Sequence, residues 1–216
     1  MESLICAASY YGSGAAEEKK EEDIDVDRFV PEVRTVDSLI GMARPGYLAH
    51  NAKRGWEIES REIDDTLGYI YRKGVTTIIS LSNQEYHDTH DSVIEERWKR
   101  LGPSHKFYHI LNKDNCDPGF CISQGPTQEK IKRFLKILRE EKGRVAVYCG
   151  EGHGRTCCYL ISHLIEKERL SPDDAFNLFF TLTGQRLKTK IKDEIESNGG
   201  FKALADFYKV RFAKRR

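Results

Sequence analysis

One stretch decides the fold, and it reads RVAVYCGEGHGRT at positions 144–156. Its first five residues are apolar and rich in valine after Arg144, which predicts a buried strand over 144–148. A loop rich in glycine follows. Apolar residues then return at helical spacing, at Cys157, Leu160, Ile161, Leu164 and Ile165. The stretch therefore predicts a strand, a tight loop and a helix.

The same alternation of helix and strand extends along the rest of the chain. Segments with helical spacing precede the apolar runs at 75–81 and 107–111, as they precede 144–148, and three of the predicted strands follow in this way. Helical patterns also fill most of the chain after residue 171. Short connections between alternating helices and strands predict an α/β fold: a single domain with a central, mostly parallel sheet flanked by helices.

Some details of the helices can be predicted as well. Thr127 is expected to cap the helix before strand 144–148, and Ser92 with Glu95 is expected to form a capping box in an earlier helix. Apolar spacing predicts that Tyr71 and Leu101 lie on buried helix faces.

Composition limits the classes of function. The chain has 216 residues, 39% hydrophobic and 32% charged, which suits one folded core. Its 35 Lys and Arg balance 34 Asp and Glu to a net charge of +1, so no nucleic-acid partner is expected. Residues 1–28 are polar and acidic and predict a disordered tail, which leaves 29–216 for the folded domain.

Compartment and metal content can also be predicted. No apolar run approaches the roughly 20 residues of a membrane-spanning helix, and the first residues lack the pattern of a signal peptide. We therefore expect no membrane insertion and a cytoplasmic, monomeric protein. The six cysteines form no CxxC pair, so we expect reduced thiols and no metal site.

The loop after strand 144–148 has the composition of an anion site. Its glycines allow successive backbone amides to point toward one centre, and the helix that follows adds its positive end. The planar guanidinium of Arg155 can hold two phosphate oxygens while the amides hold the others. The predicted substrate-binding residues are Gly150, Glu151, Gly152, His153, Gly154, Arg155 and Thr156.

Cys149 ends the strand directly before this loop and is the predicted nucleophile. A helix N-terminus and a neighbouring Arg favour a thiolate over a thiol. In-line attack on phosphorus would give a phosphocysteine intermediate, which water then hydrolyses. An acid from another loop must protonate the leaving oxygen and later accept a proton from water. This scheme requires no metal and no cofactor.

These residues resemble the active-site loop of the cysteine-dependent protein tyrosine phosphatase superfamily, which consists of a Cys, five residues, an Arg and a Ser or Thr. The match is direct at Cys149, Arg155 and Thr156. The resemblance covers most of residues 39–183 and points to the compact, atypical dual-specificity phosphatase branch. It implies a dual-specificity phosphatase-like fold, with residues 29–216 as the phosphatase domain.

The resemblance also implies a general acid, an Asp in the loop after strand 107–111 that commonly has a Pro four residues on. Asp114 with Pro118 fits this pattern and is the preferred candidate, and Asp117 is its rival. By the same analogy Thr156 hydrogen-bonds the sulfur. The chain departs from the family at Tyr148, where the family usually has a His that tunes the thiol.

The implied activity is hydrolysis of phosphotyrosine, and of phosphoserine and phosphothreonine, so the expected partner is a phosphorylated protein. Glu151 and the lack of Lys in the loop favour singly phosphorylated substrates. Two alternatives remain open. One is a non-protein substrate such as a phosphoinositide, an inositol phosphate or an RNA 5′ end. The other is a phosphopeptide-binding protein without turnover.

Overall fold

The computed structural model describes residues 33–34, 39–46, 60–82, 90–110, 126–183 and 188–212. The strands within these ranges are β1 (Val33–Arg34), β2 (Leu39–Met42), β3 (Val75–Ser80), β4 (Lys106–His109) and β5 (Arg144–Tyr148). The helices are α1 (Ser60–Arg72), α2 (Ser92–Arg100), α3 (Gln128–Glu140), α4 (Gly154–Glu168), α5 (Pro172–Thr183), α6 (Lys188–Ser197) and α7 (Gly200–Phe212). The tail predicted over 1–28 lies outside the described residues. Among the helices described, none is both long and apolar enough to cross a bilayer.

The strands form one five-stranded sheet in the order β1-β2-β5-β3-β4. Strand β5 pairs in parallel with β2 and β3, and β3 pairs in parallel with β4. The short edge strand β1 pairs antiparallel with β2. The predicted α/β fold with a mostly parallel sheet is confirmed. The carboxyl ends of β2, β5, β3 and β4 meet at one edge of the sheet, where ligands bind in such folds.

The central strand β5 contributes to the core on both faces of the sheet. Val145 and Val147 pack in the larger apolar cluster, which includes residues of α3 to α7. Ala146 and Tyr148 pack in a second cluster with residues of α1 and α2. Because side chains alternate along a strand, Cys149 falls on the side of the larger cluster, opposite Tyr148.

Of the two predicted helix caps, one is confirmed and the other is wrong. Thr127 caps α3, since its side chain accepts a hydrogen bond from the Lys130 amide at 3.3 Å. Ser92 is instead the first residue of α2, and Asp91 occupies the N-cap. Asp91 makes no side-chain cap bond there, because its carboxylate is turned toward the sheet.

Two helix-face predictions were also wrong. Tyr71 is 49% exposed and Leu101 is 44% exposed. Tyr71 rests against the ring of His105 and follows the fully buried Ile70, so it stands at the margin of the apolar stripe. Leu101 lies one residue past the end of α2. Helical spacing identifies the apolar face of a helix, but it does not show how far the neighbouring parts of the protein extend over that face.

Candidate active site

The loop between β5 and α4 borders a cavity of about 200 Å³. Six of the residues that line it were predicted from the sequence: Cys149, Gly150, Glu151, His153, Gly154 and Arg155. The structure thus brings the predicted nucleophile, the predicted phosphate-binding Arg and the glycine loop to one place. This place is the carboxyl edge of the sheet.

Cys149 directly follows β5 and is a free, largely buried thiol with 4% of its surface exposed. The backbone on either side of it is held by hydrogen bonds to neighbouring strand ends. The Gly150 carbonyl accepts from the Arg44 amide at 2.9 Å, and the Tyr148 carbonyl accepts from the Leu81 amide at 2.8 Å. The sulfur is therefore carried on backbone fixed from both sides.

Gly152 is the tightest point of the loop. Its φ of +81° lies in the left-handed region, and a Cβ there would be 2.7 Å from the Ala43 amide nitrogen and 2.8 Å from the Met42 carbonyl carbon. Both contacts are to backbone, which cannot move aside as a side chain can. Only glycine allows the loop to lie this close to the end of β2.

Arg155 stands in the first turn of α4 and is one of the residues that line the cavity. Its Nη1 donates a hydrogen bond to the Leu81 carbonyl at 2.7 Å, just past the end of β3. This bond fixes one arm of the planar group at the edge of the sheet. A guanidinium held in this way is suited to binding two oxygens of a phosphate.

Thr156 is fully buried next to Arg155. Its Oγ1 has no hydrogen-bond partner within the described part of the chain. Buried hydroxyl groups usually have a partner, so an unpaired one at this position needs a reason. A bond from this hydroxyl to the sulfur of Cys149, the role that the family resemblance implies, would supply that reason.

Known proteins that resemble this chain were found both by sequence and by structure. A 99-residue segment, 44% of the chain, is 31% identical to Dual specificity protein phosphatase CDC14C of Homo sapiens and 30% identical to that of Symphalangus syndactylus. It spans only 18% and 17% of the length of these two relatives. The crystal structure of a mutant form of Tk-PTP matches with a TM-score of 0.52 at 15% identity, over 82% of this chain and 96% of that one. No protein-family model matches the chain.

The chain has a protein tyrosine phosphatase fold. The resemblance to the cysteine-dependent protein tyrosine phosphatase superfamily, predicted from Cys149, Arg155 and Thr156, is confirmed. In that superfamily the loop after the central strand is called the phosphate loop, and residues 149–156 are given that name below.

Four further residues line the phosphate loop's cavity and were not predicted from the sequence. They are Arg44, Ser82, Glu194 and Asn198. Arg44 and Ser82 follow β2 and β3 closely, so a search for polar residues after each predicted strand could have found them. Glu194 and Asn198 come from α6 and the residue after its end, where no motif marks them.

A buried polar network is centred on Asp91 and includes Tyr148, whose side chain points to the opposite face of the sheet from Cys149. The Tyr148 hydroxyl donates to Asp91 Oδ1 at 3.0 Å, and Ser82 Oγ donates to the same oxygen at 3.3 Å. Ser80 Oγ donates to Asp91 Oδ2. Burial, followed by the nearby Asp91 carboxylate, raises the pKa of Tyr148 well above its usual value. The hydroxyl therefore stays protonated and remains a donor.

His153 is 1% exposed and lies between two carboxylates. Its Nδ1 is 3.5 Å from Glu151 Oε2 and 3.7 Å from Glu194 Oε1. Burial alone would lower the pKa of His153, but these two carboxylates outweigh it and raise the pKa to about 9. A pKa raised in this way favours the imidazolium form of the ring at neutral pH.

The same three side chains have the composition of a metal site, with ligand atoms within 4.8 Å of one another. Lys190 Nζ, however, lies 3.4 Å from Glu151 Oε2 and 3.8 Å from Glu194 Oε1. Two cations therefore already balance the two carboxylates. The group is better described as a mixed-charge cluster than as a metal centre.

The two candidates for the general acid, Asp114 and Asp117, lie outside the described residues. The structure does not test the choice between them, and the assignment of Asp114 stays a prediction.

Proposed function

We propose that this protein hydrolyses phosphate esters on proteins, phosphotyrosine together with phosphoserine and phosphothreonine, through a phosphocysteine intermediate. One observation carries the proposal: Cys149 and Arg155 line a single cavity, bordered by a glycine loop at a helix N-terminus. That combination suits a dianion with a nucleophile beside it. The local identity to two dual specificity protein phosphatases supports the same activity.

The proposed reaction has two steps. In the first, Cys149 Sγ attacks phosphorus in line, and the ester oxygen leaves with a proton from the general acid. In the second, water attacks the phosphocysteine and gives a proton to the same carboxylate, the P–S bond breaks, and the Cys149 thiolate and inorganic phosphate are released. Arg155 and the loop amides stabilise the negative charge in both transition states. Thr156 donates a hydrogen bond to the departing sulfur in the second step.

The charges around the cavity favour substrates that carry one phosphate. The phosphate loop contributes Glu151 and no Lys. The cations next to its carboxylate, His153 and Lys190, are already paired with Glu151 and Glu194, so the loop offers no cation for a second phosphate on the same molecule. We therefore propose singly phosphorylated protein side chains as substrates. A panel of phosphopeptides and phosphoinositides, compared by kcat/KM, tests this choice. Faster turnover of an inositol lipid than of every phosphopeptide would contradict it.

The nucleophile is tested by Cys149→Ser with an aryl phosphate in the presence of a chelator. We expect kcat to fall by at least about 10³-fold, since a neutral hydroxyl replaces the thiolate. Cys6→Ser, which removes a thiol from the predicted tail, is the matched control and should keep full activity. Turnover that persists in Cys149→Ser, or that requires added metal, would refute the proposal.

The general acid is tested by Asp114→Asn and Asp117→Asn, each serving as the control for the other. We propose that Asp114 is the general acid. Asp114→Asn should therefore lower kcat by about 10²-fold or more and remove the decline of kcat as pH rises. The defect should be larger with a phosphotyrosine peptide than with nitrophenyl phosphate, because nitrophenolate leaves without needing a proton. The same pattern in Asp117→Asn would instead assign the role to Asp117.

A further inference from the structure

We infer that His153 is a positioning residue for oxyanion binding: its buried ring, placed between Glu151 and Glu194, ties the phosphate loop to helix α6 and offsets the two carboxylates that border the cavity. The inference rests on the proposed function, because it assigns a role within the same site. It also assigns a role to the His153 side chain, in addition to the backbone amide that His153 would contribute to phosphate binding.

The geometry connects two separate parts of the chain. Glu151 belongs to the phosphate loop and Glu194 to α6, and the His153 ring lies against both carboxylates. His153 is also the N-cap residue of α4, yet it makes no side-chain cap bond to that helix. Its ring therefore interacts with α6 and with the loop and does not cap its own helix.

The backbone of the loop is packed against α6 at the next residue. A Cβ on Gly154 would lie 3.0 Å from Asn198 Nδ2 and 3.2 Å from Glu194 Cβ. Asn198 Nδ2 in turn donates to the Glu194 carbonyl at 2.7 Å. The end of α6 is thus seated directly on the start of α4, where the amides of the anion site are found. A change in the ion pairs of His153 would therefore act on the contact between α6 and the start of α4, and through that contact on the position of the amides.

Electrostatics leads to the same role. Glu151 and Glu194 line the cavity and oppose the approach of a dianion. Two cations face them, His153 and Lys190, but the Lys190 side chain is 46% exposed and its charge is screened by solvent. The buried imidazolium is screened less. If His153 lost its proton, the incoming anion would face two carboxylates whose charge is offset only by the solvent-screened Lys190.

The pH range of the effect follows from the pKa of His153, raised to about 9 by its carboxylate partners. The charged groups that face His153 or share its cavity are Glu151, Glu194, Lys190, Cys149, Arg155 and Arg44. Carboxylates and guanidinium groups do not titrate between pH 7 and 10 in ordinary settings. Cys149→Ser removes the thiol, which leaves His153 and Lys190 to be separated by substitution.

The experiment measures tungstate binding to the Cys149→Ser protein by calorimetry from pH 7 to 10, with chelator present. Tungstate stays a dianion over this range and needs no general acid. We expect its Kd to rise by about tenfold as pH passes through about 9, the pKa of His153. Adding His153→Gln should weaken binding at pH 7 by about tenfold and abolish the change in affinity near pH 9. Adding Lys190→Gln should leave the change near pH 9 in place.

A second variant keeps the test decisive if His153→Gln folds poorly. Glu194→Gln removes one of the two carboxylates that hold the proton on His153, so the change in tungstate affinity should move to lower pH. A merely structural role for His153 would not shift that midpoint.

The outcomes separate the inference from the proposed function. Cys149→Ser protein that binds tungstate equally well from pH 7 to 10, or a midpoint that Glu194→Gln leaves in place, would overturn the role of His153. Failure of Cys149→Ser protein to bind tungstate even at pH 7 would instead overturn the oxyanion site itself, and the proposed function with it.

Discussion

Gly152 is the residue at which the phosphate loop tolerates a side chain least. Gly152→Ala would bring a Cβ within 3 Å of the backbone of Met42 and Ala43 at a φ of +81°. We expect the free energy of unfolding to fall by about 1–3 kcal/mol, and kcat/KM by about 10²-fold because the loop must shift. Urea unfolding and steady-state kinetics measure the two effects.

Gly150→Ala is the matched control for stability. A Cβ at Gly150 meets nothing within 4 Å, and its φ is not positive. Its free energy of unfolding should stay within about 0.5 kcal/mol of the wild-type value. Equal losses in the two alanine variants would contradict the steric argument for Gly152.

Single residues of the site were predictable where chemistry dictates a fixed local spacing. Cys149 and Arg155 could be recognised because a nucleophile and a phosphate-binding cation must stand at the two ends of one short loop. Glu194 could not, because its approach to His153 depends on how α6 packs, 41 positions along the chain. The environment of His153 was for that reason visible only in three dimensions.

At the scale of elements, Asp91 joins α2 to the ends of β3 and β5. Tyr148→Phe removes the donor to Asp91 Oδ1 at 3.0 Å and leaves a buried carboxylate with fewer partners. We expect the free energy of unfolding to fall by about 1–3 kcal/mol, measured by urea titration.

Tyr159→Phe is the control for Tyr148→Phe. The Tyr159 ring is also buried, but its hydroxyl has no hydrogen-bond partner among the residues described. Its removal should therefore cost nothing or stabilise the protein slightly. A loss at Tyr159→Phe as large as that at Tyr148→Phe would show that the Asp91 network is not the cause.

Most helices and strands could be predicted because their apolar periodicity is local. The buried strands β3 and β5 and the capped helix α3 are of this kind. The capping box at Ser92 failed because Asp91 forms hydrogen bonds across the sheet instead of with its own helix. Such a choice between local and distant partners depends on tertiary packing.

For the whole molecule, the ion pairs of His153 predict how stability varies with pH. Its pKa is about 9 in the folded state, above the ordinary value of 6.5. The stabilisation is therefore complete below about pH 6.5 and is lost as pH rises through about 9. Its size should be on the order of 1–2 kcal/mol, reduced by solvent because the side chains of Glu151 and Glu194 are 42% and 30% exposed.

Urea unfolding between pH 6.5 and 9.5 measures this effect. The wild-type protein should lose stability over the range, and His153→Gln should lose about 1–2 kcal/mol less. Lys190→Gln, which leaves both carboxylates facing His153, should retain the wild-type trend. Parallel curves for wild type and His153→Gln would contradict the raised pKa.

The two hydrogen bonds that flank Cys149 have a kinetic consequence. The Arg44 amide is bound to the carbonyl after the sulfur-bearing residue, and the Leu81 amide to the carbonyl before it. Both donors belong to buried segments beside the central strand, so their deuterium uptake should be slow and governed by opening of the sheet. Cys149 is therefore not expected to become disordered by local opening alone. Its reactivity should be lost at the same rate as the whole domain unfolds.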